Sequence, residues 1–350
     1  ILGFLVLVVG GSLSLYAWRA PSMRATGHFR PISREGALVV NNLLLVTGCA
    51  TVFIGTLYPL ILDGISGEKV SVGPPFFEAS FVWIMVPLFI LMAAGPLMAW
   101  KRSDIPGVNQ RLILAFGAAA IAAILLVALQ GGPWGAILGL TIAAWVLGGV
   151  VAELTERIRL FRVSLSNSWH RARVLPRSAW GMTLAHTGIA ILIAGAVGAT
   201  NWQTEHVQVM KVGETVKVAG YGFDFVSLKE SDGPNYTRLG AEFRVTRGGE
   251  EIAMLYPEKR KYWVQTMDTT EAAIRTTWIE DIYVAIGDPA DGGGLAVRIY
   301  HNPLVPWIWI GAVVMVMGGL VSLSDRRHRV GAPNRAQQKA QPSTPAKSKA

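Results

Sequence analysis

The stretch AWGMTLAHTGIAILIAGAVGAT, residues 179–200, contains 22 consecutive residues without Asp, Glu, Lys or Arg. A helix needs about 20 mostly apolar residues to cross a hydrocarbon core of about 30 Å. This stretch therefore predicts a transmembrane helix. Similar apolar runs recur along the chain, and we predict about seven transmembrane spans: residues 1–17, 39–62, 80–100, 112–130, 135–152, 179–200 and 304–323.

The segments between these spans differ in charge, and the difference predicts the orientation of the chain. The Lys and Arg residues concentrate in four segments: 18–36, 101–111, 153–178 and the tail after residue 324. By contrast, the segment 63–79 holds Lys69 alone. Cytoplasmic loops carry an excess of Lys and Arg. We therefore expect the stretch 201–303 to face outward and the C-terminal tail to be cytoplasmic.

The composition argues against nucleic-acid binding and against a thiol-redox role. Charged residues make up 16% of the chain, mean hydropathy is +0.40 and the net charge is +9. Because the basic residues lie in short loops and in the tail, this charge indicates a cytoplasmic membrane face rather than nucleic-acid binding. The single cysteine, Cys49, lies in an apolar run and forms no intrachain disulfide, so a thiol-redox role is not expected.

The outward stretch 201–303 differs in pattern from the rest of the chain. Apolar residues alternate with polar ones in short runs: Val216 and Val218, Phe223 and Phe225, Phe243 and Val245, Ile282 and Val284, Val297 and Ile299. Alternation at period two predicts half-buried β-strands. The run Arg247-Gly248-Gly249-Glu250 predicts a hairpin turn. About a hundred residues suffice for a small β-sandwich or barrel.

We therefore predict an α-helical polytopic membrane protein with an inserted β-rich domain. The predicted domains are a six-helix transmembrane bundle over 1–200, the β-rich domain over 201–303, a last transmembrane helix over 304–324 and a basic, disordered cytoplasmic tail over 325–350. The first residue, Ile1, already lies in an apolar run, and we expect further sequence upstream of it.

His186 is the candidate functional residue. It lies nine residues after Arg177, which places it about 13 Å into the predicted helix and near the middle of the membrane. Ionisable side chains at such depth are costly and usually face the bundle interior or a cavity. Neutral imidazole suits haem iron as an axial ligand. A hydrogen bond to a neighbouring helix explains the residue equally well, because the small neighbours Gly181, Ala185 and Gly188 favour close helix packing.

No other histidine is predicted at comparable depth. His28, His170 and His328 lie in cytoplasmic segments, His206 begins the outward stretch, and His301 precedes the last span as an expected interfacial hydrogen-bonding residue. A second ligand must therefore come from sequence outside this chain. Zinc-binding, P-loop and dinucleotide motifs are absent from the sequence. Trp202, Trp307 and Trp309 lie near span ends, where an interfacial aromatic belt is expected.

Several segments, taken in order, resemble the haem lyase subunit of the bacterial cytochrome c maturation system, CcmF. They are Thr56-Leu57-Tyr58-Pro59-Leu60, Lys69-Val70-Ser71-Val72-Gly73-Pro74-Pro75, Leu184-Ala185-His186-Thr187-Gly188, Tyr256-Pro257-Glu258-Lys259-Arg260, Thr270-Glu271-Ala272-Ala273-Ile274, Asp281-Ile282-Tyr283-Val284 and Asn302-Pro303. The resemblance covers most of the chain but only the C-terminal portion of the family. The family's Trp-rich haem-handling segment, flanked by two outward histidines, has no counterpart in this sequence.

The resemblance implies a function in cytochrome c maturation. It implies that His186 is an axial ligand of a stable membrane haem b, and that the chain is part of a haem lyase that attaches haem to apocytochrome c at periplasmic Cys-x-x-Cys-His sites. It implies partners of the CcmE, CcmH and CcmI type, and a location in the bacterial inner membrane with the β-rich domain in the periplasm. Catalytic residues are not assigned.

Two other classes of function remain open. One class is a cofactor-free membrane scaffold, whose outward domain docks partner proteins of a maturation complex. The other class is a transporter subunit. A transporter needs polar groups or broken helices that line a path near the midplane of the membrane. Apart from His186, the predicted spans hold few ionisable residues at depth.

Overall fold

The computed structural model describes residues 2–23, 30–129, 132–264, 268–290 and 293–325. The chain divides into two compact units. One comprises Ile1–Ile84 with Gly95–Asn109, and the other comprises Met85–Ala94 with the chain from Gln110 onward. The predicted tail after Asp325 lies outside the described residues, as do His28, His328, Gln130 and Gly131.

The first unit is helical. It contains α1 (Leu2–Leu5), a π-helical turn (Val6–Gly10), α2 (Gly11–Arg19), a 3-10 turn (Ala20–Met23), α3 (Arg34–Ser66) and the first part of α4 (Pro74–Ala94). Ser33 caps α3, because its hydroxyl accepts the Gly36 N–H at 3.1 Å. Gly67 ends the helix at φ 71°, a left-handed conformation that glycine adopts without steric cost. α4 begins at Pro74, inside the segment expected to be a loop, and its Phe76 and Phe77 rings pack on Gly55 of α3.

Five described helices are long and apolar enough to cross a membrane. They are Arg34–Ser66, Pro74–Leu97 with its final 3-10 turn, Trp134–Ile158, Arg177–Asn201 and Val305–Leu323. A sixth span results if α5 (Ile105–Arg111) and α6 (Ile113–Leu129) are counted together, although they meet at a 59° bend. The polytopic helical architecture is therefore confirmed.

Among the described residues, the number of candidate spans is five, or six with the bent pair, against about seven expected from hydropathy. The predicted span 1–17 is helical throughout its described part, yet it is divided into pieces of at most nine residues. The π-helical turn over Val6–Gly10 separates the two α-helical pieces. The predicted span 112–130 is likewise the second arm of the bent α5–α6 pair.

The second unit contains the helical bundle that holds His186. α6 and α7 (Trp134–Ile158) form a helical hairpin, in which Gly148 lies against Ala115 and the Phe116 and Trp145 rings are 4.9 Å apart. The predicted fifth span ended at residue 152, whereas α7 continues to Ile158. Its last turn is stabilised by an ion pair between Glu153 and Arg157.

The close packing of α9 (Arg177–Asn201) on α10 (Val305–Leu323) dominates this bundle. A Cβ atom at Gly181, Gly188 or Gly195 would lie only 2.6 Å from α10 backbone atoms. These glycines recur every seven residues, so they form one seam along α9 where the two backbones approach closely. At the N-terminal end of α9, the Asp325 carboxylate accepts the Ser178 N–H at 3.1 Å. The short helix α8 (Leu165–Val174) precedes α9.

The β-rich domain consists of two antiparallel sheets. In one, the strand order is β1-β10-β9-β8, and in the other it is β2-β3-β4-β6-β7 with β5 also paired to β4. The strands are β1 (Thr204–Met210), β2 (Thr215–Val218), β3 (Tyr221–Asp232), β4 (Tyr236–Arg247), β5 (Glu250–Leu255), β6 (Glu258–Tyr262), β7 (Asp268–Glu271), β8 (Ala273–Thr276), β9 (Glu280–Pro289) and β10 (Leu295–Pro303).

The alternating residues of the sequence form the core of this domain. Nine of the ten are buried in one cluster: Val218, Phe223, Phe225, Phe243, Val245, Ile282, Val284, Val297 and Ile299. The tenth, Val216, is partly buried against the same cluster. The hairpin turn is also confirmed, because β4 ends at Arg247, β5 begins at Glu250, and both intervening glycines have positive φ angles of 62° and 90°.

Candidate functional site

The face of α9 that carries His186 is opposite the face that packs on α10. At about 100° per residue, Gly181, Gly188 and Gly195 lie about 180–220° around the helix from His186. Ile193 lies on the same side of α9 as His186, and it packs with Ile142 and Ala143 of α7. The glycine seam therefore fixes the direction of His186, away from α10 and toward the side on which α7 packs.

The His186 side chain is half-buried and has no polar partner in the part of the chain that the structure describes. The nearby hydroxyls provide none, because Thr183 and Thr187 donate to the helix carbonyls of Ala179 and Thr183 at 3.1 and 2.8 Å. An imidazole in an apolar helix normally hydrogen-bonds to a neighbour. Here one ring nitrogen keeps a free lone pair, which is what an axial ligand of haem iron requires.

The described histidines do not assemble into a second ligand for such a site. His170 lies on α8, and His206 on β1 contacts the Gln208 side-chain oxygen at 3.0 Å. His301 on β10 contacts the Glu280 carboxylate at 2.7 Å. Within the described ranges, no group of three or more His, Cys, Asp or Glu side chains could hold a metal ion. His186 can therefore supply one axial position only.

A polar cluster in the β domain was not predicted as a unit. It joins both sheets near the start of α10 and consists of Tyr221, Arg247, Glu280 and His301. The Tyr221 hydroxyl donates to Oε1 of Glu280, and Nε2 of His301 lies 2.7 Å from Oε2 of the same carboxylate. Arg247 donates from Nη1 to the Tyr221 hydroxyl at 3.0 Å, and its guanidinium lies 4.9 Å from the centre of the Tyr221 ring.

The electrostatics of this cluster favour an ionised Glu280. Burial by itself raises the pKa of Glu280, but the hydrogen bonds from Tyr221 and His301, with the charges of His301 and Arg247, lower it below its ordinary value. The pKa of Tyr221 is raised by burial first and by the Glu280 carboxylate second. The cluster therefore holds a carboxylate at the junction of the two sheets. Of its members the sequence had indicated only His301, because strand pairing brings the others together from distant positions.

The fold and the site together define a class of protein. It is a polytopic membrane protein with an antiparallel β-sandwich domain before its last spanning helix and a histidine without a described polar partner within an apolar helix. Residues 201–303 match the family model described as "CcmF C-terminal beta-sandwich". This match, with the curated relatives of the chain, shows that the chain is similar to the C-terminal half of CcmF proteins.

The similarity to individual family members extends over nearly the whole chain. The cytochrome c-type biogenesis protein CycK of Rhizobium meliloti is 48% identical over 340 residues, which cover 96% of this chain and 50% of that protein. The cytochrome c-type biogenesis protein CcmF of Pseudomonas aeruginosa is 40% identical over 336 residues, with 94% and 50% covered. CcmF of Escherichia coli is 37% identical over 337 residues, with the same coverage.

A solved structure confirms the fold. The protein named "Cytochrome c Heme Lyase CcmF" superposes with a TM-score of 0.71 at 22% identity, covering 92% of this chain and 49% of that one. This chain thus spans about half the length of the relatives that it matches.

Proposed function

We propose that this chain is part of a membrane haem lyase that attaches haem covalently to Cys-x-x-Cys-His sites of apocytochrome c. Its similarity to cytochrome c-type biogenesis proteins over nearly its whole length supports this proposal, as does its similarity in fold to a solved haem lyase. In the reaction, each cysteine thiol adds across one haem vinyl group. The S–H bond and the π bond of the vinyl group break while C–S and C–H bonds form, so the addition consumes no net oxidant or reductant.

Within this function, we propose that His186 is an axial ligand of a resident haem b. The observation that carries the proposal is its half-buried imidazole, which has no polar partner among the described residues and lies within an apolar spanning helix. An ionisable side chain at membrane depth is costly, and coordination to iron would give the imidazole a partner. When bound, the haem supplies a one-electron redox centre inside the membrane.

The chain's own residues bind and orient this cofactor. The glycine seam holds α9 against α10, and this contact directs the His186 ring to the opposite side of α9. On that side, Ile189 and Ile193 contribute apolar surface that excludes water from the His186 imidazole. Any second ligand of the haem would come from outside the described residues.

The orientation, the domain division and the partners are part of the same proposal. The basic residues of segments 153–178 and 101–111 place those loops in the cytoplasm of a bacterial inner membrane, with the C-terminus on the same side. The β-rich domain, residues 201–303, then lies in the periplasm, where apocytochrome c is available. Maturation subunits of the CcmE, CcmH and CcmI type are the proposed partners.

The test is an absorption spectrum of the protein purified from membranes with the rest of its haem-binding assembly. We expect the reduced wild type to have a b-type haem spectrum, and His186→Ala to lose most of it per mole of protein. Thr187→Ala is the matched control. It lies on the next position of α9 and removes a hydroxyl that bonds only its own helix backbone, so it should retain the haem.

Further results of this test distinguish the ligand role of His186 from the alternatives. Free imidazole added to His186→Gly should restore part of the spectrum, because the small ligand can occupy the vacated axial position. An unchanged spectrum in His186→Ala would refute the ligand role. A wild type without any b-type spectrum would instead favour the cofactor-free scaffold or the transporter.

A further inference from the structure

The turn between β8 and β9 presents two large apolar side chains to the outside. Trp278 is 81% exposed and Ile279 is 57% exposed. The backbone of this turn is nevertheless well fixed. The Thr277 hydroxyl accepts the N–H groups of Ile279 and Glu280 at 3.3 and 3.1 Å, and the Thr277 N–H donates to the Glu280 carbonyl at 2.9 Å. A rigid turn therefore holds apolar side chains away from the domain core.

The same turn is bonded to the start of the last spanning helix. The N–H of Leu304 donates to the Ile279 carbonyl at 2.7 Å, and the indole Nε1–H of Trp307 donates to the Trp278 carbonyl at 3.0 Å. Leu304 immediately precedes α10, and Trp307 lies in its first turn. These two bonds place the turn at the level where α10 begins.

The length of α10 indicates the depth in the membrane at which this helix begins. Its 19 residues extend about 28 Å, which is just enough to cross a hydrocarbon core of about 30 Å. The first turn of α10 must therefore lie at the boundary between hydrocarbon and headgroups. Two other tryptophans belong to the same boundary: Trp134, 74% exposed, begins α7, and the Trp202 indole lies beside Gly132, two residues before Trp134.

We propose that Trp278 and Ile279 insert into the headgroup region of the lipid leaflet on the β-domain side. Tryptophan is enriched at this depth because its ring is apolar and its N–H is polar. The occupant is the bilayer rather than a partner protein, because the bonds to α10 hold the turn where the lipid boundary must be. The turn adds Trp278 to an interfacial belt that otherwise comes from the helices, and it anchors the β domain on the membrane.

The opposite end of the domain provides a matched comparison. Trp263 and Val264 form a second exposed apolar pair, at 55% and 94% exposure, beside the start of β4. Arg247 ends β4 next to Glu280, so the two apolar pairs are separated by the length of that strand. Its 12 residues extend about 35 Å or more, which separates Trp263 and Val264 from the turn by about that distance along the domain.

The experiment measures lipid depth with nitroxide labels. The protein is placed in lipid nanodiscs in a Cys49→Ala background, and a single cysteine is introduced as Trp278→Cys, Ile279→Cys or, as the control, Val264→Cys. Collision rates with oxygen, which concentrates in lipid, are compared with those of a water-soluble nickel chelate. All three side chains are exposed, and the bonds from the turn to α10 use backbone carbonyls, so the substitutions leave the fold intact.

We expect the ratio of oxygen to nickel collision rates to be several-fold higher at positions 278 and 279 than at 264. Equal ratios at the three positions would overturn the proposal, because the turn would then lie in water. Low collision rates with both reagents at position 278 would also overturn it, because a protein surface and not lipid would then cover the turn. Neither outcome depends on whether the protein binds haem.

Discussion

Removing the Glu280 carboxylate should loosen the junction between the two sheets of the β domain. The carboxylate is only 12% exposed and accepts from Tyr221 and His301 together. Breaking a buried ion pair by removing one partner costs about 3–5 kcal/mol. Arg247 is 62% exposed, and its contribution is screened by water. We therefore expect Glu280→Ala to destabilise the junction by about 2–3 kcal/mol, at or just below the lower end of that range.

Hydrogen–deuterium exchange of β9 and β10 in the full chain measures this effect. Since about 1.4 kcal/mol corresponds to a tenfold change, the amides of these strands should exchange roughly 30- to 150-fold faster. Glu242→Ala is the control, because Glu242 pairs at 3.9 Å with a Lys229 side chain that is 75% exposed. That pair is expected to contribute less than about 1 kcal/mol. Equal exchange in Glu280→Ala and Glu242→Ala would refute the reasoning.

The pH dependence provides a second, independent check of the same cluster. The pKa of Glu280 is lowered in the folded protein, so its stabilising contribution is present above the ordinary glutamate pKa of about 4.5. The contribution is lost as the pH falls through the lowered folded pKa. Wild-type β9 and β10 should therefore exchange progressively faster, relative to the intrinsic rate, below about pH 4.5. In Glu280→Ala this acceleration at low pH should be absent. If the acceleration persists in the variant, other carboxylates cause it.

Two further predictions concern the ends and the seam of the α9–α10 pair. Gly318→Val should separate the two helices, because a Cβ atom at this position lies 2.6 Å from the Ala185 N atom. Gly319→Val is the control and should be tolerated, because nothing lies within 4 Å of a Cβ atom there. Overpacking of this kind costs about 1–3 kcal/mol, so the thermal midpoint of Gly318→Val in nanodiscs should fall and that of Gly319→Val should not. Asp325→Ala should speed exchange in the first turn of α9 by roughly 5- to 30-fold, because it removes the acceptor of the Ser178 N–H. Unchanged exchange there would show that the Asp325 contact does not hold the helix end.

Local patterns were sufficient to predict the helices and the strands. The apolar run around His186 and the alternation from Phe223 to Phe225 both depend on residues close together in the chain. The hairpin at Gly248 and Gly249 is also local, because only the turn residues need positive φ angles. These predictions are confirmed because burial from water or lipid acts on each segment separately.

Breaks and junctions were not predictable in this way. The interruption at Gly10 and the 59° bend before Ile113 lie inside segments whose average hydropathy is high. The cluster around Glu280 brings Tyr221, Arg247 and His301 together through strand pairing across two sheets. No spacing in the sequence indicates such a junction, since the partners are separated by 21 to 59 residues.

By itself, the sequence determined that the chain is a membrane protein with an inserted β domain and a histidine deep in an apolar helix. Hydropathy and period-two alternation are sums over neighbouring residues, so both can be read without coordinates. Only the tertiary structure decided which side of α9 His186 occupies relative to α10, and that its imidazole lacks a polar partner among the described residues. It also brought the Trp278 turn to the start of α10. Those features depend on contacts between segments distant in the chain, which packing alone brings together.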